Sequence, residues 1–101
     1  MAIYSATPRE IQRDLQQRFR ERRLQMKLTQ EGLAQRSGVS LGSLKRFEHT
    51  GQISLESLLK LALVLGCLDD FSAVCDSQNR SPQSLDELLA ASKTPKRGSR
   101  T

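Results

Sequence analysis

A chain of 101 residues has room for one domain around one modest core, and its formal net charge of +5 is carried entirely by the first half. Residues 1–51 hold ten Lys and Arg against five Asp and Glu, whereas residues 52–101 hold six of each, a bias that fits a polyanionic partner (nucleic acid or an anionic membrane surface) or simple solubility. Two cysteines, Cys67 and Cys75, without CxxC spacing, and one histidine argue against a disulfide scaffold and against a metal site. No signal-peptide pattern opens the chain, and the longest apolar run, Leu61–Leu65, is far too short to span a bilayer. A cytoplasmic protein with no membrane attachment is expected.

Residues 1–6 read as a loose lead-in. The first helix starts at Thr7-Pro8-Arg9-Glu10, where Thr7 caps, Pro8 suits the first helical position and Glu10 completes a capping box. It should run to about Met26, with Ile11, Leu15, Phe19 and Met26 on an inward face and Arg9, Arg13, Arg20 and Lys27 as a basic stripe outside. Thr29 caps a short second helix, Gln30–Ser37, closed by Gly38 in the left-handed conformation. Ser40 caps a third, from Leu41 to about His49, which Thr50-Gly51 ends. Ser54 caps a fourth, Leu55–Leu65, with Gly66 as its stop. Leu55, Leu58, Leu59, Ala62 and Leu65 follow the helical spacing of a buried stripe there. Leu61, Leu63 and Val64 are then surplus apolar residues on the other sides, the signature of a helix buried twice, and they point to a homodimer interface.

Beyond Gly66 the pattern is ambiguous. Leu68, Phe71, Val74 and Cys75 suit a helix, and Phe71, Ala73 and Cys75 suit a strand equally well. Both cysteines read as small hydrophobes. Residues 76–84 read as a polar linker, Ser84 as the cap of a short turn holding Leu85, Leu88 and Leu89, and the Ser/Thr/Lys/Arg-rich stretch from Ser92 as a disordered, basic tail. Two units follow: a folded domain over 8–75 and a tail over 76–101. The pair Lys96-Arg97 beside Gly98 is compatible with a minor-groove arm or with a flexible solubilising end.

Two short helices joined at Gly38-Val39-Ser40 form the most specific signal in the chain. Gly38 turns the backbone, Val39 plugs the gap between the helices and Ser40 starts the second one pointing outward. On that helix Leu44 and Phe47 mark the buried side, while Gly42, Lys45, Arg46 and His49 face away. Such a face suits the major groove: Gly42 lets the backbone come close, Arg46 can fork onto guanine and Lys45 can meet base or phosphate. An ordinary solvated helix surface is the plain alternative, but Gly42 costs a helix about 1 kcal/mol relative to Ala, and DNA contact is a physical reason to keep it.

These residues resemble the XRE, or phage-repressor-type, helix-turn-helix family. The likeness is carried by Leu28-Thr29-Gln30-Glu31, Leu33-Ala34, Gly38-Val39-Ser40, Phe47-Glu48, and Leu55 through Leu65 with Gly66, within residues 15–71. The resemblance implies an all-α, five-helix fold. It also implies that Gln30 touches the DNA backbone and braces the recognition helix, and that Ser40, Leu41, Gly42, Ser43 and Arg46 hold base-reading and neighbouring backbone positions. His49 and Thr50 would meet phosphates, and Arg23 with Glu48 would form a buried ion pair. Two departures matter. Leu41 and Gly42 stand where several members carry long polar readers, which leaves direct readout to Arg46, Lys45 and Ser43. Gly32 stands where an acidic residue would complete a capping box after Thr29.

A narrower resemblance concerns role. Val74-Cys75-Asp76-Ser77-Gln78-Asn79-Arg80-Ser81-Pro82 is similar to the stretch that follows the DNA-binding domain in HipB-like antitoxins, where the segment matching Phe71–Cys75 can form a strand with its dimer mate. That resemblance implies an antitoxin that represses its own operon on a palindromic double-stranded operator and binds a HipA-family kinase toxin. A regulator of other genes without a toxin is the main alternative. An interaction module docking through Leu85, Leu88 and Leu89 is a third reading. No coupled nucleophile and base and no phosphate-cradling glycine loop is present, so neither enzyme activity nor a cofactor is expected.

Overall fold

The computed structural model describes residues 6–77. Five helices follow in chain order: α1 (Pro8–Gln25), α2 (Gln30–Ser37), α3 (Leu41–Thr50), α4 (Leu55–Leu65) and α5 (Leu68–Ser72). Their starts are set locally. Thr7 accepts from the Glu10 amide while Glu10 accepts from the Thr7 amide, a complete capping box. The hydroxyls of Thr29, Ser40 and Ser54 each accept from the amide three residues on. For α2 the amide so capped belongs to Gly32, leaving half a box, as its sequence requires. Gly38, Gly51 and Gly66 end α2, α3 and α4 with left-handed φ values of 80°, 83° and 77°, which a side chain would strain.

The core lies where α2 is enclosed between α3 and α4, with α1 laid across α3 and α4 and α5 closing over α4. Leu33, Leu44, Phe47, Leu61 and Leu65 are its most deeply buried large side chains. Val39, between α2 and α3, is buried as a plug should be. Phe19 ties the first and last helices together: its ring packs edge-on against Phe47 at 5.7 Å and Phe71 at 6.1 Å.

Several apolar residues sit elsewhere than their spacing predicts. Ile11, near the start of α1, and Met26, past its end, are exposed. Lys27 follows in the left-handed region at φ 59°, so the outer stripe of α1 consists of Arg9, Arg13 and Arg20 alone. On α4 the phase differs. Leu61, read as surplus, is 0 % exposed, and Leu55, read as core, is 68 % exposed. The buried side of α4 is Leu58, Leu61, Ala62 and Leu65, leaving Leu55, half-buried Leu59 and exposed Leu63 as an outward apolar stripe.

Residues 68–75 resolve towards helix. α5 ends at Ser72 and the chain then turns, with Cys75 at φ 60°, a conformation that an extended strand excludes. Among the described residues no strand is present. Phe71 is the reason, since its ring seats on Phe19 only if α5 folds back over the core. Cys67 is half-buried against that core, and burial pushes its thiol above the ordinary range, with Arg22 lowering it and Asp70 raising it. Cys75 is exposed rather than packed. The linker beyond Ser77, the turn at Ser84 with Leu85, Leu88 and Leu89, and the basic tail lie outside the described residues, as do the first five.

Candidate nucleic-acid interface

The chemistry of α3 divides by helix phase. Leu44 and Phe47 are buried, whereas Gly42, Lys45, Arg46 and His49 are exposed together on the opposite side. At about 100° per residue these four fall within one arc of the helix. A Cβ built at Gly42 would meet nothing within 4 Å, so the missing side chain relieves no internal crowding. Its effect is outward: the α3 backbone is bare at the centre of a basic face.

The other residues singled out from the sequence take different places. Ser40 is exposed as the cap of α3 and donates its hydroxyl hydrogen to Ser43 Oγ at 2.9 Å. Ser43 therefore keeps its own hydrogen for a further acceptor. Ser43 and Arg46 share a concavity of about 270 Å³ with Gln52, Ser54 and Ser57 at the start of α4. Leu41 is half-buried and packs against the core, away from the arc holding Arg46. Thr50 is turned back on its own helix end: its hydroxyl donates to the Arg46 carbonyl at 2.7 Å and accepts from the Gln52 amide at 3.1 Å. Gln30 is half-buried and donates to Glu48 Oε1 at 2.9 Å, which joins the start of α2 to α3.

Glu48 is the hub that orients this helix. Arg23 of α1 meets it with two parallel bonds, Nε to Oε2 at 2.7 Å and Nη2 to Oε1 at 2.9 Å. The two side chains are only 8 % and 6 % exposed. A third arginine nitrogen, Nη1, donates to the Leu28 carbonyl at 2.9 Å. The carboxylate thus accepts three hydrogen bonds in a nearly dry setting, an arrangement in which each partner is costly to remove. It couples α1, α2 and α3 through one group.

Two contributors were not singled out from the sequence. Gln12 Nε2 donates to the Gly51 carbonyl and Gln16 Nε2 to the Glu48 carbonyl, both at 2.7 Å. Together they satisfy carbonyls at the C-terminal end of α3 that have no intrahelical partner. Gln12, Gln16 and Arg23 lie on one seam of α1, between its apolar and basic faces. The signal available was two glutamines at i and i+4 beside the arginine stripe. Arg22 does similar work on α4, donating to the Leu65 carbonyl at 3.1 Å, a cation at a helix C-terminus.

Among the described residues no His, Cys, Asp and Glu group could hold a metal ion, and no helix is long and apolar enough to cross a membrane. Nothing among curated proteins or solved structures matches the chain. The family model described as helix-turn-helix matches residues 19–70, from Phe19 in α1 into α5. Two helices joined by a tight turn, the second presenting a bare, basic face, are the physical content of that match. The chain belongs to the helix-turn-helix family, of the XRE type, and is a DNA-binding transcriptional regulator.

Proposed function

We propose that the chain is a dimeric, cytoplasmic repressor that reads a palindromic operator, with binding rather than catalysis as its work. The exposed face of α3 carries the proposal: Gly42, Lys45, Arg46 and His49 project together from a helix fixed by Glu48. One such helix reads only a few base pairs, so a useful site needs two copies, with half-site centres about 34 Å apart or a multiple of it. Leu55, Leu59 and Leu63 on α4 form an apolar stripe suited to the second copy.

Arg46→Ala tests the readout on a duplex selected by the protein from a random pool. The substitution is expected to relax preference at one base pair per half-site, with about 1–3 kcal/mol of discrimination lost. Equal losses on selected and random duplexes would show that α3 is held in the groove without reading there. Sedimentation gives the stoichiometry, and one chain per operator with a monomer at micromolar concentration rejects the dimer.

The more specific form of the proposal is an antitoxin that represses its own operon and binds a HipA-family kinase toxin. Its support is the HipB-like stretch Val74–Pro82 placed directly after the domain, of which residues 78–82 lie outside the described residues. Co-purification of a kinase-sized protein encoded beside the gene is the expected result. A neighbourhood without one favours a regulator of other genes.

A further inference from the structure

The family match begins at Phe19, yet α1 begins at Pro8. The additional turns carry Arg9 and Arg13, which continue through Arg20 as a stripe about 16 Å long at 1.5 Å per residue. Among the described residues none of these three arginines has a hydrogen-bond or ion-pair partner, whereas Arg18, Arg22 and Arg23 all do. The stripe lines one concavity of about 500 Å³ with His49 at the far wall. His49 also belongs to the exposed face of α3, so the concavity is continuous with the recognition surface. Among the described residues its only carboxylate, Glu48, is already committed to Arg23 and Gln30. The walls are held in place, because Gln12 and Gln16 fasten this part of α1 to the end of α3.

We propose that this groove between the N-terminal half of α1 and the end of α3 grips the DNA backbone beside the base-read segment, with Arg9, Arg13 and Arg20 neutralising phosphates next to His49. The proposal rests on the DNA-binding reading and adds to it a clamp that extends beyond the matched residues through Arg9 and Arg13. A flexible lysine arm would lose entropy on reaching a phosphate. Here the arginines stand on a helix already fixed to the reader, so the clamp and α3 engage the duplex as one rigid piece.

The test uses the full chain, the selected duplex and a random-sequence duplex of equal length. The double substitution Arg9→Gln with Arg13→Gln falls on exposed positions, and circular dichroism melting verifies the fold. Its expected effect is an equal drop in affinity on both duplexes, with the log–log salt slope flatter by about 0.9 for each phosphate that is no longer neutralised. Phosphate-ethylation interference should disappear at the outer phosphates and persist at those around the bases read by α3. Arg13→Lys, which keeps the charge, should retain most of the slope. Unchanged slope and interference in the double variant, while Arg46→Ala still loses discrimination, overturns the clamp and leaves the reader standing. Failure of the unaltered chain to bind either duplex overturns both. Loss of binding to phosphatidylserine vesicles with DNA binding intact assigns the stripe to a membrane surface and overturns the clamp.

Discussion

α3 and α4 are neighbours of similar length, each with one face in the same core, and they differ in what they leave outside. α3 exposes Gly42, Lys45, Arg46 and His49, while α4 exposes Leu55 and Leu63 beside half-buried Leu59. The insides of the two helices are interchangeable in kind, Leu44 and Phe47 on one and Leu58, Leu61 and Leu65 on the other. What distinguishes them is the outer arc, one able to neutralise phosphate and the other able only to leave water. The core thus holds two chemically different outer surfaces, one basic and one apolar, on the sides of the two helices that contribute least to folding.

The largest expected effect tests whether α3 is held as rigidly as its hydrogen bonds imply. Arg23→Ala or Glu48→Ala leaves a nearly buried charge without its partner and should cost about 3–5 kcal/mol in urea unfolding. A double-mutant cycle with near-zero coupling would reject the pair as the link between α1 and α3. Next comes the contrast within α4. Leu61→Ala, at a fully buried position, should cost about 2–5 kcal/mol. Leu63→Ala, at a position 65 % exposed, should change monomer stability by no more than about 0.5 kcal/mol. A large loss at Leu63 that grows with protein concentration would instead measure the dimer. The smallest effect sharpens the outer arc of α3. Gly42→Ala has open space for its methyl group and should raise stability by about 0.5–1 kcal/mol, while weakening DNA binding as the methyl group meets the groove. Gains in both would place the α3 backbone away from the bases.

How much was legible varied with the range of the interaction. The capping residues Thr7, Thr29, Ser40 and Ser54 and the stops Gly38 and Gly66 are readable because their partners lie three or four residues away along the chain. Arg23 and Glu48 could be paired only through the family resemblance, since 25 residues separate them. Gln12 and Gln16 gave no sign of their partners. Uncharged amides fit an exposed face as readily as a seam, and only the approach of the α3 end decides between the two.

The sequence by itself determined where α1 to α4 begin and end to within a residue, that α3 would be basic outside and apolar inside, and that the net positive charge would sit in the half holding the helix-turn-helix. These follow from local hydrogen bonds and from residue chemistry within one or two turns. Only the tertiary structure decided which arc of α4 is buried. Its apolar residues nearly encircle the helix, so their spacing alone leaves the phase open. α1, α2 and α5 settle that phase by packing on Leu58, Leu61, Ala62 and Leu65, placing Leu61 inside and Leu55 outside. The same distinction holds at Arg9, Arg13 and Arg20. Sequence makes them a stripe, but a stripe becomes one wall of a groove only when another helix supplies the opposite wall.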